Sequence, residues 1–423
     1  MLSKSSTSTR SSVRWSTSGS SRDERRVTTA TSVYYDPYDV ELARDPYPTY
    51  RRLREEAPLY YNDKYDFYAL SRYADCERGL PDWETFNSGR GAIIELIKAD
   101  LELPPGTLIF EDPPAHDIHR SLLVRVFTPR RVAALEPQIR AYCEQHLDPL
   151  IGAKEFDLIA ELGAQMPSKV IGMLLGIPES DQAAVRQSVD DNLRTRAGEQ
   201  MTVTDASFVS GEMFEDYIDW RAKNPSNDLM TDLLNAEFED EHGVTRTLTK
   251  QEVLTYVTVV AGAGNETTTR LIGWMGSLLA QHPDQRAALV ADRSLIPNAV
   301  EETLRYEPPG PHVARYVARD VEFHDQVVPT GSVMLFLLGS GNHDDRRFPD
   351  GDRFDIHRKV TQHLGFGYAV HYCMGAALAR LEGRIALEEI LERFPTWDVD
   401  WDGARLGQTS TVRGWETLPI SVG

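Results

Sequence analysis

The segment that most constrains the fold of this chain is residues 363–375, HLGFGYAVHYCMG, which leads directly into an alanine- and arginine-rich helical pattern. Its three glycines disfavour a regular strand, so we expect an irregular loop that delivers Cys373 to the start of a helix. The amide groups at a helix start favour a thiolate. A cysteine so placed can be a nucleophile, a metal ligand or a small buried apolar residue.

A second unusual segment, residues 259–269 (VVAGAGNETTT), lies inside a long helical pattern that Thr249 is predicted to cap. It contains two glycines and three threonines, although a mid-helix glycine costs about 1 kcal/mol relative to alanine. The small residues Ala263 and Gly264 would leave room for a diatomic ligand against the helix. The alternative is a distortion that serves packing alone.

Two neighbouring side chains in this segment could deliver protons. The hydroxyl of Thr267 is predicted to bond back to the carbonyl of Ala263, four residues earlier, which bends a helix. Glu266 stands next to it, so an acid and an alcohol are adjacent in the sequence, as general acid–base chemistry requires.

A third segment, Glu-Asp-Pro-Pro-Ala-His, predicts a helix start at which Asp112 caps and proline occupies the first helical position. His116 and Arg120 are four residues apart and therefore share one helix face. They could bind one anionic group together, or simply form a solvated face. His119 lies off that face and is predicted to be solvated.

Further along, Glu302 and Arg305 are three residues apart on another predicted helix and can form an ion pair. On spacing alone, an ordinary surface pair explains them equally well.

In their order along the chain, these segments resemble the motifs of the cytochrome P450 family. The family's cysteine loop reads Phe-Gly-x-Gly-x-(His/Arg)-x-Cys-x-Gly, and the matching residues are Phe366, Gly367, His371, Cys373 and Gly375. Ala369 stands where the family usually has glycine. The other segments resemble the family's Asp-Pro-Pro-x-His-x-x-x-Arg, Ala-Gly-x-(Glu/Asp)-Thr-Thr and Glu-x-x-Arg motifs, so the resemblance extends from about Tyr47 to the end of the chain.

The resemblance implies a mainly α-helical, triangular fold with small β-sheets that enclose haem b. Cys373 would be the iron ligand, with Glu266 the acid and Thr267 the alcohol that supply protons to dioxygen. Glu302, Arg305 and Arg358 would form a buried structural group. The remaining implied haem contacts, to the propionates or beside the ring, are His116, Arg120, Arg315, His371, Phe366, Ala263 and Gly264.

The implied reaction inserts one atom of dioxygen into a hydrophobic organic substrate, while the other atom leaves as water. A haem-thiolate sensor or carrier, or a peroxide-driven peroxygenase, is the alternative, and such a protein would not need Glu266 and Thr267. A steroid or terpenoid is the favoured substrate and a fatty acid the second choice, because the implied pocket wall is aliphatic or small. The wall residues are Ile93, Ile94, Leu96, Val259, Val260, Val313, Ala314 and Thr411.

The net charge of −20 argues against a nucleic-acid partner. The sequence has no run of about 18 apolar residues, so we expect no membrane anchor. Three widely spaced cysteines fit a reducing cytoplasm. The sequence carries no flavin or iron–sulfur module, so electrons are expected from a separate ferredoxin or flavodoxin with its reductase. A basic patch for that partner is predicted on the cysteine side from Arg120, Arg125, Arg131, Arg380 and Arg384.

The first 28 residues differ in kind from the rest. They are rich in serine, threonine and arginine and carry little apolar surface, which predicts a disordered tail. Their composition also resembles that of an organellar transit peptide, although an unstructured extension is favoured. Residues 29–423 are predicted to form a single haem-thiolate domain.

Overall fold

The computed structural model describes residues 33–101, 103, 106–182, 184–185, 200–201 and 214–423. The described residues belong to one compact unit. The predicted tail, residues 1–28, lies outside the described residues.

Helices make up most of the regular structure, as the family resemblance implied. In the described part of the chain they are α1 (Val40–Arg44), α2 (Tyr47–Glu56), α3 (Tyr73–Gly79), α4 (Ile94–Ala99), α5 (Ala115–Val124), α6 (Pro129–Ala133), α7 (Glu136–Leu147), α8 (Met166–Leu175), α9 (Glu215–Lys223), α10 (Leu229–Leu234), α11 (Lys250–Gln281), α12 (Pro283–Ala291), α13 (Ile296–Tyr306), α14 (Leu338–Asn342) and α15 (Ala376–Arg393). Searched over the same residues, none of these helices is both long and apolar enough to cross a membrane.

The strands are short and form small sheets. They are β1 (Leu59–Asn62), β2 (Phe67–Leu70), β3 (Phe86–Asn87), β4 (Glu155–Asp157), β5 (Glu237–Glu239), β6 (Thr245–Thr247), β7 (Val313–Val317), β8 (Val321–Phe323), β9 (Gln326–Val328), β10 (Val333–Phe336), β11 (Trp397–Val399), β12 (Arg405–Gln408), β13 (Arg413–Thr417) and β14 (Pro419–Val422). The largest sheet has the order β1-β2-β10-β7-β3. Its β2–β10 pair is parallel, with Met334 opposite Tyr68, and its other pairs are antiparallel.

The long helix α11 runs through the main apolar core. Thr249 caps it as predicted, in a capping box in which Thr249 and Glu252 each accept from the other's backbone amide. Small residues bring neighbouring helices close to α11. A Cβ added at Gly383 of α15 would lie 3.1 Å from Leu271 Cδ2 of α11. Helices α11 and α15, which carry the oxygen motif and the cysteine motif, are therefore packed directly against each other.

A buried group of charges fixes the irregular chain between α14 and the cysteine loop. Glu302 and Arg305 are both fully buried, and Glu302 accepts from Arg305 Nε at 2.7 Å and Nη2 at 2.8 Å. Arg358 Nε donates to Glu302 Oε1 at 3.2 Å, and the amide of Asp355 donates to the same oxygen at 2.9 Å. The predicted contact among these charged residues is present, and the surface-pair alternative is wrong.

We expect Glu302→Gln to lower the free energy of unfolding by about 3–5 kcal/mol, because it leaves two guanidinium groups around a neutral buried side chain. Urea unfolding followed by circular dichroism measures the change. Glu56→Gln is the matched control, because Glu56 pairs with Arg52 on an exposed helix face, where solvent screens the pair and its loss should change stability little. Equal losses in the two variants would contradict the prediction.

Candidate functional site

The cysteine loop is closed by one backbone hydrogen bond, from the amide of Cys373 to the carbonyl of Phe366 at 2.8 Å. Between them the chain makes a single 3-10 turn, Ala369–His371. Gly367 has φ of 72° and Ala369 has φ of 54°. Ala369 thus adopts the left-handed conformation that glycine would adopt freely, at a cost of roughly 1–2 kcal/mol. The substitution leaves the turn in place and adds strain to it.

The side chain of Cys373 is exposed, although many protein atoms lie around it. Burial raises the pKa of the Cys373 thiol, while the amides of Gly375 and Ala376 and the guanidinium groups of Arg120 and Arg380 act in the opposite direction. Amides at the start of α15 and two nearby cations therefore favour the thiolate, as the sequence predicted.

Four basic side chains from three separate parts of the chain converge beside this loop. The rings of His116 and His371 have centroids 4.5 Å apart. Arg120 Nη2 donates to the carbonyl of Tyr372 at 2.6 Å. Burial lowers the pKa of His371 to about 2, and the charges of Arg315, His116 and Arg120 contribute in the same direction. The four residues expected to hold the propionates are therefore brought together.

The chemistry of this cluster fits a group with carboxylates. His116 Nδ1 lies 3.0 Å from Asp117 Oδ1, and among the described residues its buried Nε2 has no hydrogen-bond partner. Arg315 is 5% exposed and donates to the carbonyl of Ala314 at 2.8 Å. Burial lowers the pKa of Arg315 to about 10, partly opposed by the charge of Asp112, whose carboxylate is bound to the amides of Ser88 and Gly89. A buried cation is costly unless anionic charge compensates it, so the cluster would favour an added anion.

Two expectations for the neighbouring helix start are wrong. Asp112 does not cap α5, because its carboxylate accepts from the amides of Ser88 and Gly89 at 2.9 Å. His119 is not solvated: it is 5% exposed, and its Nδ1 lies 2.7 Å from Glu111 Oε2. In both cases the partner comes from another part of the chain that spacing within the helix could not indicate.

The oxygen motif has the predicted local geometry. Thr267 Oγ1 donates to the carbonyl of Ala263 at 3.0 Å, which confirms that hydrogen bond. Ala263 is exposed although it lies in the middle of α11, as expected for a residue that lines a cavity. Gly264 faces helix α8. A Cβ at Gly264 would overlap Ile171 Cδ1 of α8, so its small size is required by helix packing.

Glu266 has a partner that the sequence reasoning missed. Arg270 Nη2 donates to Glu266 Oε1 at 2.9 Å, and Arg270 Nη1 donates to the carbonyl of Trp415 at 2.6 Å. Arg270 therefore fixes the carboxylate against the β12–β13 hairpin. The i, i+4 spacing of the two residues was the available signal.

A second acid near the motif was also missed. Glu382 of α15 is 1% exposed, and its Oε1 has no hydrogen-bond partner among the residues that the structure describes. Burial raises the pKa of Glu382 to about 8, partly opposed by a hydrogen bond with Thr268 of α11. A glutamate on a helix gives no sequence signal of burial, so only the packing of α15 on α11 shows it.

The expected pocket wall is partly packed into the core. Ile93, Leu96 and Val260 are 7%, 3% and 6% exposed, and Ile94 and Ala314 belong to an apolar cluster around Tyr35 and Tyr50. Val259 and Val313 are half-buried and Thr411 is exposed. A wall role stays a prediction for this set.

Three of the five arginines in the predicted basic patch are paired with carboxylates, and the patch as a partner surface stays a prediction. Arg131 forms an ion pair with Asp232 at 2.5 Å, and Arg384 pairs with Glu136 at 2.6 Å and Glu388 at 2.8 Å. Arg380 is likewise paired, with Glu301. The compensating carboxylates mostly come from other helices, so the sequence spacing of the arginines did not indicate them.

Comparison with known proteins gave consistent matches over most of the chain. The family model described as Cytochrome P450 matches residues 203–402. "Putative cytochrome P450 123" of Mycobacterium tuberculosis is 39% identical over 392 residues, which are 92% of this chain and 96% of that protein.

Solved structures agree with the sequence match. Cytochrome P450 CYP109Q5 from Chondromyces apiculatus superposes with a TM-score of 0.81 at 36% identity, covering 92% of this chain and 98% of that one. CYP109E1 from Bacillus megaterium, solved in complex with testosterone, has a TM-score of 0.80 at 26% identity, covering 90% and 99%.

The raised pKa of Glu382 predicts a pH dependence of stability. Between the ordinary pKa of 4.5 and about 8, the folded state holds a proton that the unfolded state has lost. The free energy of unfolding should therefore fall as pH rises through this window, by up to about 1.4 kcal/mol per pH unit. Glu382→Gln, which does not titrate, should flatten the curve.

Urea unfolding at pH 5, 6, 7 and 8 measures the effect. Glu392→Gln, on the same helix at an exposed position, is the control and should keep the wild-type slope. Parallel curves for wild type and Glu382→Gln would show that the acid is ionised in the folded protein.

Proposed function

The chain belongs to the cytochrome P450 family of haem-thiolate monooxygenases, and from this premise we propose that Cys373 holds the haem and that the substrate is a hydrophobic organic molecule. The family resemblance and the mainly α fold predicted from the sequence are confirmed. Haem b, which the family uses with dioxygen, supplies the activation of oxygen, one atom of which enters the substrate. The observation that carries the assignment is the convergence of four basic side chains beside the exposed Cys373.

The basic cluster would bind the two propionates. Among the described residues, His116 offers an unpartnered Nε2, and Arg315 offers a buried guanidinium. Charge-assisted hydrogen bonds to carboxylates would satisfy both. Because these donors lie on α5, β7 and the cysteine loop, haem binding would tie the three elements together.

Thr267 and Glu266 would handle protons on the opposite side of the cavity. The hydrogen of the Thr267 hydroxyl is committed to the Ala263 carbonyl, so its oxygen is free to accept a hydrogen bond from a donor in the cavity. The carboxylate of Glu266 is held by Arg270, which lies one turn further along the same helix. Proton delivery by this carboxylate would require it to leave Arg270, so the ion pair would regulate the transfer.

For the substrate we favour a steroid or terpenoid. The half-buried Val259 and Val313 offer apolar surface to a rigid polycyclic molecule. The relative CYP109E1, which binds testosterone in its solved structure, supports this class. A fatty acid remains the second choice.

Electrons would come from a separate ferredoxin or flavodoxin with its reductase, and the cytoplasm is the proposed location. Three of the arginines on the cysteine side, Arg131, Arg380 and Arg384, are paired with neighbouring carboxylates. Recognition would therefore depend more on shape and apolar contact than on a free basic surface. Residues 29–423 would form the single domain that carries out the reaction.

The first experiment is an optical titration of the purified ferric protein with testosterone, a monoterpene and palmitate. Wild type should show a haem-thiolate spectrum, and a steroid or terpenoid should shift it from low to high spin. Cys373→Ser should lose the thiolate spectrum. A shift with palmitate alone would overturn the steroid proposal, and a thiolate spectrum in Cys373→Ser would overturn the ligand assignment.

Thr267→Ala should reduce the amount of product formed per electron consumed by about tenfold or more and release peroxide instead, because the cavity loses its hydroxyl acceptor. Thr267→Ser keeps the hydroxyl and should retain most of the coupling. Product and peroxide are measured against consumed reductant. Unchanged coupling in Thr267→Ala would favour a peroxide-driven enzyme or a non-catalytic haem protein.

A further inference from the structure

Arg380 of α15 lies between an acid and the cysteine loop. Its Nε and Nη2 donate to the two carboxylate oxygens of Glu301 on α13, the latter at 3.0 Å. Burial alone would raise the pKa of Glu301, but contacts from His363 and Arg380 lower it to about 2. The pair is therefore a fixed bidentate ion pair with both charges present at neutral pH.

The other side of the same guanidinium contacts the two residues that frame Cys373. Arg380 Nη1 donates to the hydroxyl of Tyr372, the residue before the cysteine, at 3.1 Å. The guanidinium carbon lies 4.5 Å from the ring centroid of Phe366, whose carbonyl accepts the Cys373 amide. The guanidinium of Arg380 thus contacts the loop at two points, Phe366 and Tyr372.

We propose that Arg380 raises the reduction potential of the haem iron through its positive charge beside the Cys373 loop. The negative charge of Glu301, its ion-pair partner, limits this effect. The proposal rests on the function proposed above, in which Cys373 is the iron ligand. It adds a role for two residues that make no contact with substrate.

The physical reason is the charge balance of the first electron transfer. Reduction of ferric to ferrous iron adds one electron, and hence one negative charge, to a site that already contains a thiolate. A cation nearby favours the reduced state and an anion disfavours it, and a partly buried position weakens solvent screening. The guanidinium of Arg380 faces the loop and the carboxylate of Glu301 lies behind it, so the cation dominates at the sulfur.

The structure also provides a control of the same residue type on the same helix. Arg384, one turn further along α15, pairs with Glu136 and Glu388 away from the loop.

The test is the reduction potential of the haem-loaded full chain, measured by anaerobic spectroelectrochemical titration without substrate or electron donor. Arg380→Gln should lower the potential, with a change of about tenfold in the one-electron equilibrium constant, which is about 59 mV. Glu301→Gln should raise it, and Arg380→Gln with Glu301→Gln together should return it towards wild type. Arg380→Lys, which keeps the charge, should remain near wild type, as should Arg384→Gln.

The spin state and the ferrous–carbon monoxide spectrum are recorded for each variant, so that loss of the thiolate is separated from a change in potential. Wild type without a thiolate spectrum would overturn both this proposal and the function on which it rests. A thiolate spectrum with equal potentials in Arg380→Gln and Arg384→Gln would overturn the tuning role alone. Shifts of the same sign in Arg380→Gln and Glu301→Gln would also overturn it, because they would indicate a loosened loop.

Discussion

The cysteine side of the structure depends on the ion pairs and hydrogen bonds that the Glu302 carboxylate makes with two arginines. The described residues between α14 and the cysteine loop form turns and contain no helix or strand, so some buried carbonyl groups there need side-chain donors. Arg305, held by Glu302, donates to the carbonyls of Asn342 and Gly351 at 2.7 and 2.8 Å. Arg358 donates to the carbonyl of Pro349 at 2.7 Å. One acid therefore fixes two cations that replace missing secondary structure.

The cysteine loop is attached to this support. The amide of Leu364 donates to Asn342 Oδ1 at 2.7 Å, next to the carbonyl that Arg305 fixes. A rigid attachment explains how the loop maintains Ala369 in a left-handed conformation that alanine adopts only at a cost. Because α15 packs on α11, the position of Cys373 is also fixed relative to Thr267. Structural charges and reactive side chains thus form one connected unit.

Sequence reasoning succeeded where the cause is local. The bond from Thr267 to Ala263 and the capping box at Thr249 follow from spacing of three or four residues within one helix. It failed where the partner lies outside the helix that carries the residue. Asp112 caps nothing because the amides of residues 88–89 take its oxygens, and His119 is buried because Glu111 and Tyr256 surround it. Which of two competing partners wins is decided by tertiary packing, which a helix pattern does not contain.

The same distinction separates the arginines of the site into two kinds. Arg131, Arg380 and Arg384 have carboxylate partners in the protein, so their charges act locally and offer little to an incoming anion. Arg315 is buried, and although the charge of Asp112 acts on it, its neighbours in the cluster are basic. Desolvation of a cation opposes folding unless an anion compensates it. The basic cluster should therefore gain stability from haem, whereas the Glu302 group is already complete within the chain.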